Sequence, residues 1–256
     1  MTIIDAIVLG VLQGVTEFLP VSSSGHLVIF GYFMKINTPG VTFEVLLHFG
    51  TLIAVLIYFR KDIMNLLKHP KDKYLWLIFI GIIPAGVIGV LFESAFEKLF
   101  DSVTIVALML LVTGVILWIA EKLSNGSRGP KEMKVRDALV IGFAQSLAII
   151  PGISRAGSTI SAGLLIGLNR DTAARYSFLI VIPVIFGATI LKVKDLMEVG
   201  LQTEYWAPYV IGTVVSGLSG YFAIAILLKM LNTGKLRVFS YYCWAVGSIT
   251  LLSVII

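Results

Sequence analysis

The chain has 256 residues, of which 57% are hydrophobic and 14% are charged, whereas soluble globular domains carry about 25% charged residues. This composition excludes an ordinary soluble domain and favours an integral membrane protein. The net charge of +5 does not indicate a nucleic acid partner, because the basic residues lie in connections between apolar segments, where membrane topology explains them.

The first predicted element is a helix over residues 5–18, which is too short to cross a membrane. Such a segment gives a helix of roughly 21 Å, against about 30 Å for the hydrocarbon core. Pro20 and a run of small polar residues end it. Non-helical backbone at that depth is tolerated only where it is buried in protein or lines a wet cavity. We therefore predict a re-entrant helical hairpin.

Three longer apolar segments follow, and each approaches the roughly 20 residues that a transmembrane helix needs. The same order of elements recurs in the second half, where a short helix ends before Pro151. The apolar segments cover residues 43–59, 75–92, 103–120, 176–191, 208–228 and 238–256, and the second short helix covers residues 137–150. The predicted fold class is all-α integral membrane, with six transmembrane helices plus two re-entrant helical hairpins in a single membrane domain, residues 1–256.

An internal repeat relates the two halves at an offset of about 132 residues. Residues 5–13 lie over residues 137–145, and Ser23 lies over Ser154. Three spans in each half force the second copy to begin on the opposite face, so we predict two inverted-topology repeats, residues 1–122 and 133–256. Glycines at matching positions would let helices approach closely, which is also compatible with a homodimer; they are Gly81, Gly86, Gly89, Gly212, Gly217 and Gly220.

The distribution of basic residues predicts the orientation. Residues 60–74, 121–137, 168–175 and 229–237 together hold 15 lysines and arginines, whereas the other side holds Lys35, Lys98, Lys192 and Lys194. By the positive-inside rule the richer segments are cytoplasmic and both termini lie outside. The first hairpin then enters from outside and the second from the cytoplasm, so that their tips can meet near the midplane.

The two tips contain the unusual chemistry. The first reads Gln13-Gly-Val-Thr-Glu-Phe-Leu-Pro-Val-Ser-Ser-Ser-Gly-His26, and the second reads Pro151-Gly-Ile-Ser-Arg-Ala-Gly-Ser-Thr159. Ionisable residues inside a membrane are costly and indicate function. Arg155 offers a planar fork of donors suited to phosphate. Glu17 can act as a base or hold a divalent cation, and His26 can transfer a proton or form a phospho-intermediate.

Both tips also lead into helices, whose N-termini favour anions. We therefore predict a phosphate site in which Glu17, His26 and Arg155 are catalytic residues. The predicted substrate-binding residues are Ser22, Ser24, Gly152, Ser154, Ser158 and Thr159.

The run from Glu17 to His26 and the run from Pro151 to Thr159 resemble those of the bacterial undecaprenyl-diphosphate phosphatases, also called bacitracin-resistance proteins. The resemblance extends over nearly the whole chain. It implies an enzyme of the bacterial cell (inner) membrane that removes the terminal phosphate of a C55 polyprenyl diphosphate. Such an enzyme recycles the lipid carrier for cell-wall synthesis and confers bacitracin resistance. The family also implies a divalent cation, Mg²⁺ or Ca²⁺.

Carried over by position, Glu17 matches the second acid of the family's Glu-x-x-x-Glu motif. Ser23, His26, Arg155 and Thr159 match functional positions. Gln13 departs from the motif, because the family often has its first glutamate at this position. Gln13 and Glu17 are the predicted metal ligands. Ser23 and His26 both remain candidates for the nucleophile, and Ser23 is favoured because the repeat centres on it.

Two other functions are compatible with this pattern. A lipid transporter would share the inverted repeat and the anion site, but it needs no nucleophile. An anion channel would need a continuous polar pore. Outside the tips, Glu44 can cap a helix, pair with a base or take part in catalysis. His48 is expected to be a packed or hydrogen-bonded interior residue and His69 a loop residue. The active site is predicted to open to the outer face.

Overall fold

The computed structural model describes residues 1–34, 41–199 and 205–255, and the regular structure in these ranges is helical. Lys35, which entered the charge count, lies outside the described residues. The α-helices are α1 (Ile3–Phe18), α2 (Ser23–Met34), α3 (Val41–Tyr58), α4 (Arg60–Lys68), α5 (Lys73–Leu91), α6 (Glu93–Phe100), α7 (Val103–Leu123), α8 (Val135–Leu147), α9 (Arg155–Leu165), α10 (Arg170–Val199), α11 (Trp206–Asn232) and α12 (Leu236–Ile255).

The six segments predicted to span the membrane fall on α3, α5, α7, α10, α11 and α12. Within the described ranges, α5, α7 and α11 are long and apolar enough to span by themselves, and α3 joins them if it is taken with α4 across a 70° bend. An all-helical membrane protein is therefore confirmed, whereas the count of six spans remains a prediction. The short helices α4 and α6 were not predicted, because charged residues interrupt their apolar pattern.

The helix predicted over residues 5–18 ends at the predicted residue, whereas the helix predicted over residues 137–150 ends three residues earlier. α1 ends at Phe18, before Pro20, and α8 ends at Leu147, before Pro151. Each has an aspartate in its first turn that accepts the backbone N–H of the residue before the helix. Asp5 accepts from Thr2 at 2.7 Å, and Asp137 accepts from Lys134 at 2.9 Å. The two helices therefore share an aspartate cap at their N-terminal ends.

The first helix of each half packs against the second of the three long helices of the other half. α1 packs on α11, and α8 packs on α5. A Cβ atom placed on Gly10 would lie 2.7 Å from the carbonyl oxygen of Gly212, and one placed on Gly142 would collide with the carbonyl oxygen of Gly81. These glycines allow backbone-to-backbone contact inside this chain. A Cβ atom placed on Gly86, in contrast, would meet no atom of another described element within 4 Å.

Two aromatic rings cover the same glycines from the other side. Phe43 contacts Gly212, and Tyr176 contacts Gly81 and donates its hydroxyl to the carbonyl oxygen of Leu77 at 2.6 Å. Both rings are fully buried.

Charged connections meet at one end of the molecule. Arg170 makes a two-pronged ion pair with Glu121, with both N–O distances 2.9 Å. Arg175 pairs with Asp62 at 3.1 Å. These pairs join three of the four segments that the charge count placed on one face.

Candidate active site

The two polar tips lie in contact. A Cβ atom on Gly25 would lie 3.1 Å from the Cα atom of Gly152, so the loops touch through their backbones. Gly152 has φ +94°, a conformation that favours glycine. Thr113 on α7 donates to the carbonyl oxygen of Gly152 at 2.8 Å and accepts from the Ser154 N–H at 3.1 Å. The second tip is thus fixed to α7 by a residue that the sequence did not single out.

Glu17 lies at the centre of the site, with its side chain 8% exposed. Its Oε2 accepts from the Ser23 hydroxyl at 2.6 Å and from the Gln13 amide at 3.1 Å. Its Oε1 accepts from Arg155 Nη2 at 2.9 Å. One carboxylate therefore connects a hydroxyl and a guanidinium that come from opposite halves of the chain.

Arg155 keeps part of its donor fork unused. Nη1 is buried and has no hydrogen-bond partner within the described ranges. Buried donors are rarely left unpaired, and a guanidinium offers paired donors that match two phosphate oxygens. The unpaired Nη1 therefore indicates a place for an anion.

A cavity of about 430 Å³ opens beside this cluster, here called the Glu17 cavity. Its polar wall comes from the two tips and from α3. The rest of the wall is mostly apolar and comes from the ends of α6 and α8, from α10, from Val45 of α3 and from Ile153 of the second tip. The lining includes Thr16, Glu17, Ser22, Ser23, Ser24, Glu44, His48, Ser154 and Arg155 on the polar side, and Val45, Phe100, Ile149, Ile153, Val181, Val184 and Ile185 on the apolar side. Such a space suits a ligand with an anionic head and an apolar body.

His48 has a place in the site that the sequence did not assign to it. It lines the Glu17 cavity, and its Nε2 lies 3.8 Å from Glu17 Oε2. Its Nδ1 donates to the carbonyl oxygen of Glu44 at 2.8 Å, which fixes the ring. The sequence does carry a weak signal that His48 belongs to the site, since Glu44 and His48 are one helical turn apart and lie on the same face of α3.

His26 is buried, 7% exposed, and lies outside the described wall of the Glu17 cavity. Its Nδ1 donates to the carbonyl oxygen of Ser22 at 2.7 Å. That leaves Nε2 of the neutral ring to accept from the Tyr242 hydroxyl, 2.8 Å away. Both ring nitrogens of His26 are therefore bonded to protein groups. Ser22, whose carbonyl oxygen accepts one of these bonds, has φ +69°.

The remaining predicted residues divide into two groups. Ser22, Ser24 and Ser154 line the Glu17 cavity, although the Ser154 hydroxyl is used to cap α9 by accepting from the Gly157 N–H at 3.0 Å. Ser158, Thr159 and Gly152 lie outside its described wall. Thr159 is fully buried and bonds instead to the carbonyl oxygen of Arg155 and to Ser177. Their predicted role in substrate binding remains a prediction.

The residues around the cavity fit a divalent cation only if a ligand shares it. Among the described residues, no group of three or more His, Cys, Asp or Glu side chains is arranged to hold a metal. However, Glu17 and Glu44 both face the cavity, and Oε1 of the buried Gln13 has no hydrogen-bond partner within the described ranges. Mg²⁺ is typically held by one or two carboxylates together with phosphate oxygens of a substrate.

Comparison with known proteins identifies the family. The family model described as "Bacitracin resistance protein BacA" matches residues 6–249. A protein from Halothermothrix orenii named undecaprenyl-diphosphatase is 55% identical over 96% of this chain and 96% of its own length. Proteins of the same name are 42% identical in Carboxydothermus hydrogenoformans, over 96% of this chain and 95% of theirs, and 40% identical in Methanosphaera stadtmanae, over 98% of both. The chain belongs to the BacA family of bacitracin resistance proteins.

Proposed function

We propose that this protein hydrolyses undecaprenyl diphosphate to undecaprenyl phosphate and inorganic phosphate. The observation that carries the proposal is the single carboxylate of Glu17, which accepts from Ser23 Oγ at 2.6 Å and from Arg155 Nη2 at 2.9 Å beside one cavity. This arrangement supplies a nucleophile, a base and an anion-binding group. The name shared by the relatives supports the same reaction.

Arg155 binds the terminal phosphate. Because Nη1 has no partner among the described residues, it can donate to a phosphate oxygen while Nη2 keeps its ion pair with Glu17. The helix N-termini at Ser23 and Arg155 add partial positive charge at the same place. The apolar wall of the Glu17 cavity receives the first part of the lipid.

Ser23 is the nucleophile in this proposal. Glu17 takes the Oγ proton as Oγ bonds to the terminal phosphorus, and the bond from that phosphorus to the bridging oxygen breaks. Undecaprenyl phosphate leaves, and Glu17 releases the proton it took to solvent. Water then attacks the phosphoserine; Glu17 accepts a proton from this water and returns it to Ser23 Oγ as the bond from phosphorus to Oγ breaks, which releases inorganic phosphate and restores the hydroxyl. His26 is less suited to attack, since both of its ring nitrogens already have protein partners.

A divalent cation, Mg²⁺ or Ca²⁺, would be held by Glu17 and Glu44, with Gln13 Oε1 as a further oxygen. It would neutralise charge on the phosphate oxygens. This chain's residues would supply few ligands by themselves, so the cation would bind together with the diphosphate.

The membrane arrangement is proposed as six spans and two re-entrant hairpins in two inverted repeats. The crossed packing of α1 on α11 and of α8 on α5 supports a twofold relation, because each contact is the counterpart of the other under the sequence repeat. The pairs Phe43 with Gly212 and Tyr176 with Gly81 support it independently.

The proposed location is the bacterial cell membrane, with the Glu17 cavity open to the outer face. Phe100, in the wall of that cavity, lies two residues from Lys98, which the charge count places outside. Ion pairs among the predicted cytoplasmic segments support one common face for them. At the outer face the reaction would return the lipid carrier to cell-wall synthesis, and would give resistance to bacitracin.

The test is release of inorganic phosphate from a C55 polyprenyl diphosphate by purified protein with Mg²⁺ or Ca²⁺. We expect Arg155→Ala and Ser23→Ala to lower kcat by about a hundredfold or more. The exposed residues Arg60 and Ser253 give matched controls, Arg60→Ala and Ser253→Ala, which should retain activity. After an acid quench, wild type should carry a phosphoserine that Ser23→Ala lacks. A wild-type protein that releases no phosphate with any cation would favour lipid transport instead.

A further inference from the structure

A second space, of about 420 Å³, lies among α5, α6, α8 and α9. We call it the α8 groove. Its walls include Ile88, Phe96, Phe143, Leu147, Ile150 and Leu165. Ser146 also lines it, but its hydroxyl donates to the carbonyl oxygen of Gly142 at 3.0 Å. The groove is therefore suited to an apolar ligand.

The α8 groove adjoins the Glu17 cavity at two places. Phe96 lines the groove and Phe100 lines the cavity. Because these residues are four apart on α6, they lie on one face of that helix, which borders both spaces. At the end of α8, Ile150 lines the groove and Ile149 lines the cavity. The groove and the cavity are therefore adjacent both along α6 and at the end of α8.

The groove also leads away from the polar cluster. Its lining on the α8 side runs from Val140 to Leu147, which corresponds to roughly 10 Å at the rise of an α-helix, and continues to Ile150 beyond the end of that helix. Ile150 is at the end next to the cavity. A chain that leaves the cavity past Phe100 and Ile149 would therefore enter the groove and follow α8.

We propose that the α8 groove binds the polyprenyl tail of the substrate, beginning with the isoprene units that follow the diphosphate. This inference rests on the proposed function. A tail attached to a diphosphate at Arg155 has to leave the Glu17 cavity over an adjoining apolar surface, and the groove is such a surface. An acyl chain of a bilayer lipid has no attached headgroup in the cavity to select this groove.

The experiment compares two substrates that share a headgroup and differ in tail length: a C55 polyprenyl diphosphate and the C15 compound farnesyl diphosphate. Ala144 is half-buried and lines the groove, so Ala144→Phe fills it. Ala225 is half-buried on α11 and outside the described walls of both spaces, so Ala225→Phe is the matched control. Turnover of the C15 substrate reports that each variant is folded.

We expect Ala144→Phe to raise KM for the C55 substrate by about tenfold, the range that a few lost methylene contacts give, with KM for the C15 substrate changed less than about twofold. Ala225→Phe should change neither value. Equal changes in KM for both substrates, or an unchanged KM for the C55 substrate, would overturn the proposal that the groove binds the tail while leaving the proposed function intact. If wild type released no phosphate from either substrate, the proposed function would fail and this inference with it.

Discussion

The ring of His26 stacks on the ring of Tyr242, with centroids 5.5 Å apart and an angle of 9° between the planes. The Tyr242 hydroxyl donates to His26 Nε2 at 2.8 Å, and His26 Nδ1 donates to the carbonyl oxygen of Ser22 at 2.7 Å. Ser22 has φ +69°, which costs about 1–2 kcal/mol for a residue with a Cβ atom. The chain Tyr242–His26–Ser22 thus holds the turn that directs Ser23 towards Glu17.

Tyr242→Phe should lower kcat about fivefold, because it keeps the ring but removes one hydrogen bond of about 1 kcal/mol. KM should stay unchanged, since Tyr242 lies outside the described wall of the Glu17 cavity. Phosphate release measured over a range of substrate concentrations separates the two parameters. Tyr241→Phe is the control, because Tyr241 is the neighbouring exposed tyrosine. A wild-type kcat in Tyr242→Phe would show that the hydroxyl does not position Ser22.

Gln13→Glu should lower the concentration of Mg²⁺ needed for half-maximal activity by about tenfold, because a second carboxylate one turn from Glu17 attracts the cation. Gln13→Met should raise it, because this change removes the unpaired Oε1. The measurement is activity as a function of Mg²⁺ concentration with substrate in excess.

The role of Gln13 and Glu17 in holding the cation can also be tested without measuring turnover. Gln13 is fully buried and donates to Glu17, so Gln13→Glu places like charges together and should lower Tm when no cation is present. Mg²⁺ with the product undecaprenyl phosphate should restore Tm more in this variant than in wild type. If Mg²⁺ requirements were equal in wild type and both variants, Gln13 would have no part in holding the cation.

The sequence predicted the contact between the tips because its signals there are strong. Prolines that follow two short apolar helices, together with polar residues, have few explanations inside a membrane. The predicted end of α1 at Phe18 is confirmed, and α8 ends at Leu147, three residues before the predicted end. The ion pair between Glu17 and Arg155 follows from that arrangement. Local chemistry and membrane physics were sufficient for this part of the site.

Other parts depend on tertiary neighbours that a single sequence does not reveal. Tyr242 stands in an aromatic run of α12 and has the pattern of an interfacial residue, and Thr113 is one hydroxyl in an apolar helix. Thr159 was predicted to bind substrate, and its hydroxyl bonds to the Arg155 carbonyl oxygen and to Ser177 of α10. Which partner a hydroxyl chooses is decided by packing between helices.

Gly10→Ala and Gly142→Ala should each lower the free energy of unfolding by about 1–3 kcal/mol, the usual cost of inserting a methyl group into a packed contact. In both cases the new Cβ atom would meet a carbonyl oxygen of the opposite half, on Gly212 or on Gly81. Gly86→Ala is the matched control, since its Cβ atom would meet no neighbouring element within 4 Å in the part of the chain that the structure describes, and alanine is the better helix former. Thermal unfolding in one detergent compares all three. Equal Tm values in the three variants would contradict the close approach of the two halves.

The orientation can be tested with single cysteines in a Cys243→Ala background, using a maleimide that cannot cross the membrane. Lys98 is exposed on α6 and predicted to lie outside, whereas Lys71 is exposed and predicted to be cytoplasmic. Lys98→Cys should therefore be labelled in intact cells, and Lys71→Cys only after permeabilisation. Ser24→Cys, in the wall of the Glu17 cavity, should follow Lys98→Cys, and bound substrate should protect it. The orientation was assigned from the count of basic residues, and the reverse labelling pattern would contradict it. The catalytic cavity would then open to the cytoplasmic face, and the proposed recycling of the carrier at the outer leaflet would fail.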